Sequence, residues 1–275
     1  MKLKITIIIW SLLLGIGFAG ELPRAPTADE IVKKANHMAL YQGMDFKGSI
    51  TMEIKDKQGR IRKRAFNILR KNADVMDRDQ QYYTFFQEPA DVRKMVFMVH
   101  KHAALETDDD RWLYLPSLDL VKRIAASDKR TSFVGSDFLY EDISGRSPDE
   151  DRHKLINTTT QYYWLKSIPR IPGNVEFEYY ISHIDKGTFM PMKIEFFKKG
   201  DRCYRVIETM KLKRIPTLEN GNKVTYPTVV ISMARNLENG SESRMNFSHV
   251  QYNIGLSHKI FTERYLRRPP RDAMR

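Results

Sequence analysis

His100-Lys-His102 places two imidazoles on the same side of an extended chain, and Asp108-Asp-Asp110 follows a few residues later. A metal-assisted hydrolase needs such groups, neutral imidazoles and carboxylates converging on a cation. Three or more ligands must converge, however, and the Asp run reads more simply as the polar turn before Trp112, so no metal site is expected. A serine nucleophile would sit on a strained Gly-x-Ser-x-Gly turn. The sequence has none, and Gly135-Ser136-Asp137 reads as a helix cap, with Ser136 opening a short helix through Asp142. Cys203 is the only cysteine, which excludes an internal disulfide and any Cys-based zinc site. Gly-rich phosphate loops are absent, so no nucleotide and no other cofactor is expected. A carboxylate pair of the glycosidase type can form anywhere in three dimensions, and no spacing points to one. The chain is read as a non-enzyme, with a hydrolase built on His100, His102, Asp108, Asp109 and Asp110 as an alternative.

The elements that position these side chains begin with the N-terminus. Met1-Lys-Leu-Lys4 is a short basic segment, and Ile5 to Phe18 is almost wholly apolar. Gly17 and Ala19 follow at the spacing read by a signal peptidase. The apolar run is shorter than the ~20 residues of a bilayer-spanning helix, so residues 1–19 read as a secretory signal cleaved after Ala19. Residues 20–275 then form one exported domain. Thr27 and Glu30 make the Thr-x-x-Glu pattern of a capping box. Ile31, Val32, Ala35, Met38 and Ala39 recur behind it at helical spacing, predicting an amphipathic helix over residues 28–41.

From Phe46 the period changes to two. Ile50, Met52 and Ile54 alternate with polar neighbours, and the turn Asp56-Lys-Gln-Gly59 leads into a return strand through Arg70. Met95, Phe97 and Val99 repeat the pattern, as do Phe177, Tyr179 and Ile181, and Met192, Ile194 and Phe196. Further runs cover residues 204–212, 224–234 and 243–252, separated by turn signals such as Glu219-Asn-Gly-Asn222. The pattern predicts a mainly β protein with few α-helices, its strands consecutive and antiparallel, with one apolar and one polar face. Such a sheet must curl on itself or be covered. Two short helices cover a concave face without filling it tightly, which predicts an apolar cavity. Its expected wall is Ile50, Met52, Ile54, Met95, Phe97, Val99, Phe177, Tyr179, Ile181, Met192, Ile194 and Phe196. The expected lid is the aromatic segment of Phe133, Phe138 and Tyr140, with Gly135 as a hinge; it serves equally as a gate or as a rigid plug. Thirteen methionines suit a wall that repacks around variable acyl chains, though ordinary core packing uses them as well.

The segment Asp110-Arg-Trp-Leu-Tyr-Leu-Pro-Ser-Leu-Asp-Leu-Val-Lys-Arg-Ile124, continued by Ser127 to Asp142, resembles the outer-membrane lipoprotein-sorting protein family, the LolA-like proteins. So do Asp185-Lys-Gly-Thr-Phe-Met-Pro-Met-Lys193 and the closing Phe261-Thr-Glu-Arg-Tyr-Leu-Arg-Arg-Pro-Pro270. Residues 147–175 do not align. The resemblance implies an unclosed antiparallel β-barrel with helices over its concave face. It also implies a periplasmic carrier of a lipid or lipid-anchored cargo, moving it from the inner towards the outer membrane. The longer relatives look like partners of RND-type (MMPL) transporters; an inner-membrane ABC-type transporter is the other expected partner. A sensor or interaction module of the same fold is the alternative. The formal charge of +12 admits an anionic membrane surface as a further partner, and the aromatics on the apolar face argue against nucleic acid.

Overall fold

Thr27 begins the first helix as its neighbours dictate. Its hydroxyl accepts the Glu30 amide, and the Glu30 carboxylate accepts the Thr27 amide at 2.8 Å. In this computed structural model, which describes residues 24–274, the helix is α1 (Ala28–Asn36), prolonged by a π-helical turn at His37–Tyr41. The expected signal segment, residues 1–19, lies outside the described residues.

Thirteen strands follow in one antiparallel sheet: β1 (Asp45–Lys55), β2 (Ile61–Asn72), β3 (Gln80–Glu88), β4 (Val96–Lys101), β5 (Asp110–Leu115), β6 (Leu120–Arg123), β7 (Asp151–Thr158), β8 (Tyr162–Pro169), β9 (Tyr179–Asp185), β10 (Pro191–Lys198), β11 (Arg202–Glu219), β12 (Asn222–Asn236) and β13 (Glu242–Tyr252). Their order is β6-β5-β4-β3-β2-β1-β13-β12-β11-β10-β9-β8-β7. Two meanders, β1–β6 and β7–β13, are thus joined through the β1–β13 pair, and the terminal strands β6 and β7 do not pair. This is the unclosed barrel expected. Residues from β2 and β10 line one cavity, so the sheet curls on itself.

Turn chemistry fixes the register where expected. Asn220 and Gly221, between β11 and β12, both take positive φ (49° and 79°), as a two-residue hairpin loop requires. From Thr228 towards the hairpin tip, β11 and β12 pair only with each other and form a two-stranded ribbon on which Lys213, Arg214 and Lys223 are exposed.

Three strands escape the alternation read from sequence. β3 holds Tyr82-Tyr-Thr-Phe-Phe86, a run with no period because both its faces are buried. The other two, β7 and β8, lie within residues 147–175, where the sequence pattern predicts no strand. Residues 175–178, read as strand, precede β9.

The inner cluster packs Ile50, Met52, Phe66, Phe86, Phe97 and Val99 against Phe133, Phe138 and Tyr140. A second cluster lies on the outer face of β2–β5. There Leu69, Tyr83, Val96, Met98 and Trp112 are covered by Leu256, Ile260, Phe261, Leu266 and Ala273 of the C-terminal strap, which includes α3 (Arg264–Arg267) and α4 (Arg271–Met274). The hairpin of β5 and β6 is accordingly covered on both sides, Trp112 outside and Leu113 and Leu115 inside.

Candidate functional site: an apolar cavity under α1

The strand pleat decides which side chains meet inside. On β1 and β2 the even-numbered residues face inward, and cross-strand partners fall in rows: Phe247, Ile50 and Phe66 form one, and Tyr252, Phe46, Arg70 and Tyr82 another. With Ile194, Phe196 and Ile207 from β10 and β11, these residues enclose a cavity of about 400 Å³. That lies within the ~300–1,000 Å³ usual for small-molecule sites. Its roof is α1 with the π-helical turn, contributing Val32, Ala35, Met38, Ala39 and Leu40. At one side stands α2 (Tyr140–Ser144), through Ile143 and the residues after it. Gly145 ends α2 at φ 80°, and a Cβ there would collide with Leu40, so glycine is what lets α2 and the roof approach.

Of the residues expected in the wall, Ile50, Ile194 and Phe196 line the cavity, and so does Phe138 of the expected lid. Met52, Ile54, Met95, Phe97 and Val99 face inward as read, but the space before them is filled. Phe133, wholly buried, lies 5.9, 5.7 and 5.7 Å from the rings of Phe66, Phe86 and Phe97, and Tyr140 packs behind it at 5.5 Å. The segment between β6 and β7 folds into the hollow, and no strand period encodes that. These five are therefore core rather than wall.

Tyr179 and Ile181 are corrected to the opposite face: the register places Ser182 beside Ile194 and Tyr180 beside Phe196, so Tyr180, Ser182 and Ile184 point inward. Tyr179 stacks instead on Phe197 at 4.7 Å. Met192 sits at a slip in the β9–β10 register, and Pro191 reaches the cavity in its place. Phe177, before β9, packs on Phe196 and Tyr180 behind the wall.

The segment of Phe133 to Tyr140 is built as a plug. Ser136 does not open a helix; its hydroxyl donates to the Phe133 carbonyl at 2.7 Å and closes the turn from Phe133 to Phe138. The helix starts later, at Tyr140, with the Asp142 carboxylate accepting the Leu139 amide at 2.7 Å. Asp137 accepts the Ser243 hydroxyl at 2.7 Å, and Arg205 donates to the Asp137 carbonyl at 3.1 Å and pairs with Asp142.

The polar part of the cavity wall is an ion-pair network that pins α2 to the sheet. Arg130 pairs with Glu141 and, at 2.6 Å, with Glu176. Arg146 pairs with Glu150 at 2.7 Å and Asp151 at 2.9 Å, and Lys129 reaches Glu141 at 3.2 Å. Burial works to raise the Glu141 carboxyl, but Arg130, Arg146 and Lys129 outweigh it and hold it below the ordinary carboxylate range. Glu176 follows the same balance: burial opposes its charge, yet Arg130 and the Tyr204 hydroxyl bring it down to about 2. Tyr180, which donates to Asp151 at 2.8 Å, is pushed well above its ordinary value by burial and by that carboxylate.

The histidine–aspartate group found in sequence does structural work. One of its imidazoles, His100, donates from Nε2 to the Phe261 carbonyl at 2.7 Å and packs edge-on to Trp112, tying the C-terminal strap to β4. His102 lies between Asp79 and Asp110, and Asp109 pairs with Arg111. Among the described residues, no three His, Cys, Asp or Glu groups are placed to hold a metal ion. Sequence reasoning placed the helices over the concave face but named none of the α1 side chains as lining, and it missed the Tyr180 and Ile184 side of β9 and Arg70. The alternation through Arg70 carried the signal for the last, since it puts a cation on an apolar face.

Comparison with known proteins agrees with this architecture. Residues 78–268 match a family described as "-like: Uncharacterized protein". A DUF1329 family protein from Desulfovibrio piger ATCC 29098 superposes with a TM-score of 0.76 at 25% identity, covering 87% of this chain and 97% of its own. An outer membrane lipoprotein-sorting protein domain from Vibrio parahaemolyticus gives 0.74 at 25% identity, covering 88% and 98%. A LolA superfamily protein from Nitrosomonas europaea gives 0.64 at 18% identity, covering 88% and 100%, a likeness of fold. No curated protein matches the chain.

Proposed function

Because the chain belongs to this uncharacterized-protein-like family and shares the LolA-like fold, we propose that it is a periplasmic carrier of acyl chains. The observation that carries the reading is the 400 Å³ apolar cavity, roofed by a short amphipathic helix rather than filled by side chains. The cargo is a lipid or a lipid-anchored protein; the similar Vibrio domain is described as lipoprotein-sorting. Each methylene buried contributes about 0.8 kcal/mol. Ten of them supply roughly 8 kcal/mol, near micromolar affinity before ordering costs. No covalent step is needed, and unloading falls to a partner that lifts the α1 roof or offers a better acceptor.

In this reading an inner-membrane transporter of RND/MMPL or ABC type loads the protein, and the cargo travels towards the outer membrane. The basic β11–β12 ribbon supplies a surface for anionic lipid headgroups. The test is mass spectrometry of lipids extracted from protein purified from its native host, together with protection of a fluorescent fatty acid by the delipidated protein. Stoichiometric lipid and a saturable fluorescence rise are expected. Ile194→Trp, which fills the cavity from β10, should abolish both while leaving the fold intact. Protein that carries no lipid and shields no fatty acid would overturn the reading.

A further inference from the structure

Arg70 is a cation set into the greasy part of the cavity wall. It stands on β2 in the row formed with Tyr252, Phe46 and Tyr82, and all four side chains line the cavity. Its side chain is only 5% exposed. The two terminal nitrogens donate to the carbonyl oxygens of Leu40, Gln42 and Gly43, which the π-helical turn leaves free at the end of the roof. Among the described residues no carboxylate lies within ion-pair distance of it, and its buried Nε has no acceptor. Asp45, whose charge reaches Arg70, has its carboxylate occupied by the amides of Ile254 and Leu256 at 2.7 and 2.8 Å.

The other arginines of the cavity differ. Arg130 holds Glu141 and Glu176, and Arg146 holds Glu150 and Asp151, so an anion there would have to displace a carboxylate. Burying a cation without a counter-charge is costly, and carbonyl dipoles offset only part of that cost. Burial accordingly lowers the Arg70 pKa from its ordinary value. An anion arriving from the cavity would supply the missing charge and an acceptor for Nε at once. Gln42 Oε1, a buried acceptor on the same wall, is also without a donor. A carboxylate or a phosphate satisfies the arginine, and a phosphate monoester that keeps one proton also donates to Gln42.

We propose that Arg70 receives the anionic head of the ligand: the cavity takes an alkyl chain ending in a carboxylate or phosphate, the anion against Arg70 and the chain along Ile50, Phe66 and Ile207. The inference rests on the carrier reading and narrows it to acidic lipids. Charge-assisted hydrogen bonds of this kind are about twice as strong as neutral ones, and desolvation sharpens the difference.

The test is displacement of a neutral dye, N-phenyl-1-naphthylamine, from the delipidated full-length protein at pH 8 by dodecanoate, dodecyl phosphate or dodecanol. At least one anion should compete at least tenfold better than the alcohol, and the better of the two identifies the head group. Acetate and inorganic phosphate, which lack the chain, should not displace the dye. Arg70→Met should bind the dye still and reduce the preference below threefold. A second measurement needs no variant: the carboxyl carbon of [1-¹³C]dodecanoate bound to the native protein should remain ionised to lower pH than in free acid. Equal displacement by acid, phosphate and alcohol, or a bound carboxyl that titrates at or above the free value, overturns the assignment to Arg70 and leaves the carrier reading standing. Failure of the dye and of every chain to bind overturns both.

Discussion

The two meanders of the sheet use the same strand pattern and end in different states of packing. In the first meander the C-terminal strap covers the outer face of β2–β5 and the Phe133 plug fills much of the inner side, and Met52, Phe86, Phe97, Met98 and Phe133 have no exposed surface. In β7–β13 the inner face looks into the cavity. The outer face of β8–β10 carries only its own cross-strand stacks, such as Trp164 on His183 at 4.2 Å and Lys166 over Tyr179 at 3.6 Å. Ile194 and Ile207 stay half-buried where their counterparts in the first meander vanish from the surface. The plugged part of the first meander therefore supplies the rigid frame, and the cavity lies between the second meander and the Phe46, Ile50, Phe66 and Arg70 side of β1 and β2, so mutations at the plug and at the open wall separate stability from ligand binding.

Deleting residues 256–275 should break this comparison most severely. It strips Leu256, Ile260, Phe261 and Leu266 from the outer cluster. At about 1.5–3 kcal/mol for each side chain, the loss of about 6–12 kcal/mol matches the whole stability of an ordinary domain. The cooperative transition in thermal denaturation should disappear; a variant that melts normally would show that the strap is dispensable.

Next comes the plug. Phe133→Ala should cost about 3–5 kcal/mol in urea unfolding, whereas Ile194→Ala, beside space that is already empty, should cost less than about 2 kcal/mol. Equal costs would erase the distinction between core and cavity wall.

The ion pairs beside α2 give a smaller, pH-dependent effect. Glu176 titrates at about 2 in the folded chain against 4.5 without its partners. Its ionised form thus stabilises the fold above pH 4.5, and that contribution is lost as the pH falls from 4.5 through 2. Glu176→Gln should flatten the melting temperature over that window and leave its slope at higher pH unchanged. A profile identical to the native one would remove the network from the account of how α2 is held.

Smallest of all is Tyr179→Ala on the uncovered outer face. The lost stack on Phe197 is worth about 0.5–1.5 kcal/mol. Ligand affinity should not change, whereas a drop would return Tyr179 to the cavity.

These outcomes bear on how much could be read in advance. The capping box at Thr27 and Glu30 and the Asn220-Gly221 turn rest on neighbours a few residues apart, and each appears as read, as does the one-sided apolar pattern of β1. The β3 strand was hidden because burial on two faces removes the alternation that reveals a strand. On β9 both faces are part apolar, with Tyr179 and Ile181 on one and Tyr180 and Ile184 on the other, so only pairing with β10 decides which looks inward. Family resemblance added the unclosed barrel, but did not place the plug within it.

The chain's own order of residues thus settled most of the stretches that extend, where they turn and that they have an apolar face, because propensity and periodicity act over a few residues. What covers each face was decided by tertiary structure alone. Phe133 enters one part of the hollow and leaves another open, the strap closes the outer side of β2–β5, and Arg70 meets carbonyls thirty residues away and no carboxylate. Those are contacts between distant segments, and burial and unpaired charge exist only once the segments have met.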